Sequence, residues 1–219
     1  MAEPLFLKWR AGKQLFRVHD TCYAASQFND SGKGDARFSP LRSASGKIVP
    51  TLYAGQTRSS VLMETVFHDV PTPASDYILD IDDLNGLVMS SIAPRRTLRL
   101  LALTSIGLRR LGEAKTRVIE TPSSDYPQTR ALALAWHDAY RHADGMLWMS
   151  RQDDQARALV LFGDRVGEKE FDIFENKIPV DESPRFEELI ATAQSIGIRM
   201  AYSGKQGMVT MADLMDASP

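Results

Sequence analysis

Three apolar runs in the second half of the chain, GMLWMS (residues 145–150), ALVLF (158–162) and FDIFE (171–175), are separated by too few residues for helical crossovers. The links carry turn-forming Asp and Gly, so each run reads as a strand that doubles back on its neighbour. Further strand signals are FRV at Phe16–Val18, TLYAG after Pro50 and ending at Gly55, Tyr77–Ile81 and Leu98–Leu103. Helix signals are fewer. The strongest is YPQTRALALAWHDAYRHADG, with Ser124 or Asp125 as cap, Pro127 in the first turn and Gly145 just beyond the end. SVLMETVFHD is capped by Ser59 or Ser60 and stops before Pro71, and a last helix runs from Ser183, with Pro184 in its first turn, to near Gly197. Strands outnumbering helices, with short links, predict a single α+β (mixed α/β) domain built on a mostly antiparallel sheet flanked by helices.

A chain of 219 residues with 43% apolar side chains can bury the core of one such domain. Lys and Arg number 26 against 28 Asp and Glu, so no global field draws the chain to nucleic acid or to an anionic membrane surface. No run approaches the roughly 20 apolar residues of a spanning helix, and the lone Cys22 fits a reducing compartment. The expectation is a cytoplasmic protein with no membrane span and no direct nucleic-acid contact. The stretch HDTCYAASQFNDSGKGDARF is rich in Gly, Asp, Asn and Ser and reads as a long loop, mobile between Asp20 and Asp35 when its site is empty.

Common catalytic signatures are missing: there is no GxxxxGK[ST], GxGxxG, GxSxG or HExxH. His-Asp pairs at His19, His68 and His137 invite a metal-phosphohydrolase reading. Against it, His137 and His142 stand about 140° apart around one helix and cannot share a metal from one face. The histidines read as surface or capping groups, and no metal is expected.

Arg37, Tyr53, Glu64 and Ser150 also have plain readings. Glu64 lies roughly opposite the Leu62, Met63, Val66 and Phe67 stripe, as a solvated carboxylate would. Arg37 reads as a loop charge, Tyr53 as a strand aromatic, and Ser150 as a turn hydroxyl.

The order of motifs alters that picture. FRVHD, GDARFSP, LYAG, the MET of VLMETVFHD, and DGMLWMSR follow one another as in the RES domain, named for its arginine, glutamate and serine, and the chain resembles that family from about Phe16 to about Asp164. The resemblance implies an ADP-ribosyltransferase-like fold with a split sheet, a RES domain over residues 10–175, and a carboxy-terminal helix and tail over 176–219 that packs on or extends it. It places the site on Arg17, Arg37, Tyr53, Glu64 and Ser150. Glu64, Arg37 and Ser150 would be catalytic; Arg17, Arg37, Tyr53 and Ser150 would bind NAD, which is substrate rather than cofactor. Family members are toxins of toxin–antitoxin pairs that consume NAD by hydrolysis or phosphorolysis, and a few modify a protein, so a cognate antitoxin is an expected partner and a homodimer is left open.

Chemistry suits these residue types. Guanidinium groups match pyrophosphate oxygens, Tyr53 offers a flat face to nicotinamide, and a fixed carboxylate stabilises the oxocarbenium-like charge that grows on ribose as the glycosidic bond breaks. Two departures from the commoner family pattern bear on substrate. SRQDDQARALVLF lacks the usual asparagine after the serine, offering Gln152, Gln155 and Arg157 instead. Leu62 stands two before Glu64, where arginine-modifying transferases carry Glu or Gln, which favours water or phosphate as acceptor. The competing readings are ADP-ribosyl transfer to a protein and a non-catalytic module that holds a nucleotide or a partner.

Overall fold

A computed structural model describes residues 3–43, 45–71, 77–203 and 209–210. The first strands are β1 (Phe6–Trp9), β2 (Leu15–Asp20), β3 (Leu41–Arg42), β4 (Ile48–Val49) and β5 (Thr51–Gly55). Helix α1 (Arg58–Thr65) follows, then β6 (Ile78–Asp80), β7 (Leu87–Pro94) and β8 (Leu98–Ala102). Helices α2 (Ser105–Leu111), α3 (Lys115–Val118) and α4 (Tyr126–Ala139) fill the middle of the chain. Then come β9 (Gly145–Met149), β10 (Arg157–Phe162), β11 (Phe171–Pro179), α5 (Arg185–Ser195), β12 (Arg199–Tyr202) and β13 (Val209–Thr210).

The protein is a single-domain α+β structure. Eight strands share one sheet in the order β1-β8-β9-β10-β5-β2-β7-β11. Strands β9 and β10, whose link is short, pair antiparallel as the spacing predicts. The sheet is nonetheless mixed, and the expectation of a mostly antiparallel one needs correcting at β8 and β9, which run parallel. Between them the chain passes through α2, α3 and α4, a crossover long enough to bring β9 back in the direction of β8. A smaller sheet, β13-β12-β6, again has a parallel pair, β12 with β6. The large sheet curls. Trp9 of β1 and Leu98 of β8 share one apolar cluster with Leu15 of β2, Ile92 of β7 and Phe171 of β11, from the other side of the sheet.

One junction in this sheet is minimal. Strand β5 pairs with β10 from Thr51 to Gly55, and β2 pairs with β7 from Leu15 to Asp20. Between β2 and β5 the only ladder pair is Phe16 with Gly55, after which the two strands diverge. Helix α1 lies beside this split. A Cβ on Gly55 would sit 2.6 Å from Val61 Cγ1 and 2.8 Å from Ser60 Oγ, so the glycine is what lets the helix come down so close. The helix starts earlier than its serines suggested: Thr57 is the N-cap, and Thr57 and Ser60 form a reciprocal capping box. It also ends at Thr65, leaving Val66–Asp69 as a turn rather than the last helical turn expected before Pro71.

Two strands of the large sheet escape the sequence pattern for physical reasons. Strand β7 is buried along both faces and carries Ser90, Ser91 and Pro94, so it shows neither alternation nor an unbroken apolar run. Strand β1 is four residues long and includes Lys8. The carboxy-terminal helix α5 packs Leu189 and Ala193 into the same cluster as Leu62 and Phe67 around α1. Arg58 of α1 also reaches Glu175 at 2.8 Å, while Arg185 of α5 lies 2.8 Å from Glu188 and 3.5 Å from Glu175.

Gly55→Ala is expected to overpack this contact, costing about 1–3 kcal/mol. In a differential scanning melt that corresponds to a loss of several degrees, at about 2–4 °C per kcal/mol for a chain of this size. An unchanged melting temperature would mean that α1 does not depend on its approach to β5.

Candidate active site

The divergence of β2 and β5 opens a cleft of about 320 Å³, within the range of small-molecule sites. Arg17 reaches it from β2, Tyr53 from β5 and Glu64 from α1, and Arg37 comes from the loop between β2 and β3. Four of the five residues singled out from the sequence therefore share one cavity. The fifth, Ser150, does not line it; it is 1% exposed and sits directly behind Glu64.

Glu64 is not on a solvent face. Its Oε1 accepts a hydrogen bond from Ser150 Oγ at 2.6 Å and another from the Arg151 amide at 3.2 Å. Ser150 Oγ in turn accepts from the amides of Gln152 at 3.2 Å and Asp153 at 2.9 Å. A hydroxyl has one proton and two lone pairs. With both lone pairs engaged by amides, the Ser150 proton is committed to Glu64. Oε2 has no protein partner among the described residues and is left for whatever enters the cleft.

Both arginines are held by neutral oxygens. Arg37 Nη1 donates to the carbonyls of Val118 and Thr121, each at 3.3 Å, and to the Thr121 hydroxyl. Its guanidinium lies 4.9 Å above the Tyr126 ring, and burial pulls its pKa below the usual arginine value. Arg17 Nη1 donates to the carbonyls of Ala25 at 3.1 Å and Gln27 at 2.9 Å, and its Nε is buried with no partner among the described residues. Burial lowers the Arg17 pKa to about 10, which leaves it charged at neutral pH. Tyr53 accepts the Phe38 amide on its phenol oxygen at 2.8 Å, and burial raises its pKa. Its ring stands edge-on to Trp148, with centroids 6.2 Å apart.

A family model described as the RES domain matches residues 14–181, well over half of the chain. The chain belongs to the RES domain family. That places it, at the level of the family, with NAD and with toxin–antitoxin pairs. Comparison with individually curated proteins finds no match. No helix among the described residues is long and apolar enough to cross a membrane.

Several residues of this RES domain's cleft had no sequence signal as a group. Tyr126, noted only as the start of a helix, is buried beneath Arg37 and brings its hydroxyl 3.3 Å from His68 Nε2. His68 Nδ1 lies 2.7 Å from Asp69 Oδ1. Of the polar residues standing where the family more often has asparagine, Gln152 donates to the His68 carbonyl at 3.0 Å and fixes the turn after α1. Among the described residues, no three His, Cys, Asp or Glu side chains converge as a metal centre requires.

The long loop after β2 is pinned through its first half. Ala25 and Phe28 are buried, Arg17 holds two of its carbonyls, and Asn29 exchanges both backbone hydrogen bonds with Thr51. Asp35 is tied to Arg130 at 2.5 Å, and the tip between is held by longer contacts, Arg42 on the Gly32 carbonyl and Asn29 on the Lys33 carbonyl, each at 3.3 Å. A second cavity of about 240 Å³ adjoins the first across Arg17 and Tyr53, and adds Tyr23, Lys33 and His19.

His19 is a satisfied interior histidine, bound to Ser90 Oγ and to the Asp20 carbonyl, each at 2.9 Å. Burial, helped by the nearby Arg17 charge, lowers its pKa to about 4. Between the unfolded value, about 6.5, and about 4 the unfolded chain binds the extra proton and the folded one does not. Stability therefore falls as pH drops through that window. Melts from pH 7 to pH 4 should show a decline that His19→Gln makes shallower; equal slopes would remove His19 as its source.

Proposed function

We propose that this RES-domain protein breaks the bond between nicotinamide and ribose in NAD, with water or phosphate as acceptor, and acts as the toxin of a toxin–antitoxin pair. The observation that carries the reading is the Glu64 carboxylate: one oxygen is fixed by Ser150 and Arg151, and the other faces a cleft shared with Arg17, Arg37 and Tyr53. Fixed negative charge at that point stabilises the positive charge that develops on ribose. Oε2 is the atom for a ribose hydroxyl. Two buried guanidinium groups that use Nη1 on neutral protein oxygens, Arg17 and Arg37, supply positive charge for the pyrophosphate. The Tyr53 ring is the flat partner for nicotinamide. NAD is consumed as substrate, and no cofactor is called on. A cognate antitoxin that covers the cleft is the partner this role requires.

A small acceptor is favoured over a protein side chain. Leu62, two before Glu64, is fully buried and gives no polar contact to an arginine acceptor. Incubating the protein with NAD, with and without phosphate, and following free nicotinamide and labelled protein separates the readings. Labelled protein would favour transfer, and no nicotinamide above background would leave a binding module.

Glu64→Gln is the sharpest variant, because the glutamine carbonyl can still accept from Ser150 and Arg151 while the charge is lost. Turnover should fall on the order of 10²- to 10³-fold with little change in NAD affinity or melting temperature. Near-normal nicotinamide release would remove Glu64 from the chemistry. NAD should also slow amide hydrogen exchange at residues 30–34, where Lys33 and Gly34 line the adjoining cavity, and leave residues 24–29 unchanged. Equal exchange at the tip with and without NAD would rule out closure of that loop over the nucleotide.

A further inference from the structure

His68 and Asp69, one of the His-Asp pairs conspicuous in the sequence, line the same cleft as Glu64 and have no part in the chemistry above. We propose that His68 is the general base that takes the proton of the attacking water, with Asp69 as the residue that orients it; this rests on the reading of the protein as an NAD-cleaving enzyme. His68 sits in the turn after α1, four residues beyond Glu64. Its Nδ1 lies 2.7 Å from Asp69 Oδ1. An ionised carboxylate only accepts, so Nδ1 carries the ring proton and Nε2 presents a lone pair. That lone pair meets one protein group among the described residues, the Tyr126 hydroxyl at 3.3 Å, a long contact that an incoming water can replace. The groups around the ring are Asp69 from the same turn, Tyr126 from α4 with Arg37 behind it, and Gln152 from the loop after β9, which holds the His68 carbonyl.

The proton count calls for one base and no acid. Nicotinamide is cationic in NAD, so when the bond from its ring nitrogen to the ribose anomeric carbon breaks, the electron pair stays on nitrogen and neutral nicotinamide leaves. Water forms the new bond to that carbon, one of its protons passes to His68 Nε2, and the products are ADP-ribose, nicotinamide and a proton released to solvent. Glu64 Oε1 is already committed to Ser150 and Arg151, which suits an electrostatic role rather than a second base. An anionic nucleophile needs no deprotonation, so only the reaction with water depends on His68.

The test follows nicotinamide release from NAD by the wild type, His68→Gln, Asp69→Asn and Glu64→Gln, each with and without azide as anionic acceptor. His68→Gln should lose about 10²- to 10⁴-fold in water, and azide should restore release with the ribosyl azide as product. Asp69 is almost fully exposed, so Asp69→Asn leaves the fold intact. It should lose part of the water reaction and none of the azide reaction, which decides the matter even if His68→Gln melts early. Glu64→Gln should not be restored by azide. Hydrolysis unchanged in both His68→Gln and Asp69→Asn, or lost in folded variants without azide restoration, overturns the role of His68 alone. A wild type that releases no nicotinamide takes down the NAD reading and this role with it.

Discussion

A single ladder pair, Phe16 with Gly55, joins the two halves of the large sheet, and the site depends on that economy. A fully paired junction would bring β2 and β5 to the usual separation of about 4.8 Å along their length and leave no room between them. Because they part, Arg17 and Tyr53 face a gap instead of packing against each other's strand. The same parting exposes the end of β5 to α1, and the missing side chain at Gly55 allows the helix to seat there with Glu64 directed at the opening. The curl of the sheet compensates, since the strands on either side of the split still share a buried apolar cluster.

The electrostatics of the cleft follow from what the arginines are bound to. Arg17 and Arg37 are 8% and 9% exposed, and removing such charges from water is costly unless their donors are satisfied. Carboxylates would satisfy them and also cancel their charge. Backbone carbonyls and hydroxyls satisfy the Nη1 donors of both and leave the charge in place, so the site keeps a positive field in a poorly solvated setting. Glu64 is treated in the opposite sense: its donors are a hydroxyl and an amide, which orient the carboxylate without neutralising it. Fixed charges of both signs, held by neutral partners, suit the proposed reaction, in which positive charge grows on a ribose still attached to an anionic pyrophosphate as neutral nicotinamide leaves.

Much of this was legible in the sequence, and the limits are instructive. The pairing of β9 with β10 follows from spacing alone, and α4 from its proline and its apolar period, although no side chain caps it and it ends at Ala139, short of the stop expected at Gly145. Glu64 was rightly placed away from the Leu62 and Phe67 stripe, but a helical wheel cannot distinguish water from a cleft on the polar side. Ser150 shows the same limit, because a turn hydroxyl and a hydroxyl that fixes a carboxylate accept the same local amides and differ only in where the proton goes. Tyr126 and His68 lie far apart in sequence and meet only where the start of α4 reaches the cleft, so no local pattern announces them. The parallel β8–β9 pair was hidden because α2 and α3 went unread, and with them the crossover.

Helix α5 shows how the domain is completed from outside its family match, which ends at residue 181. Its apolar face closes the cluster around α1, and Arg185 and Glu188 join Arg58 and Glu175 at the start of the helix that carries Glu64. That network is incompletely satisfied: Arg58 Nε, Arg185 Nε and Glu175 Oε2 are buried without partners among the described residues. Unpaired donors and acceptors of this kind offset much of what the ion pairs contribute, so its net effect on stability is small. Orientation is the better account of it. With Gly55 and the four charges holding the start of α1, and Gln152 holding the turn at its end, the helix is clamped at both ends. Glu64 then has little freedom to move, so in the proposed reaction its charge is already in place when the glycosidic bond begins to break.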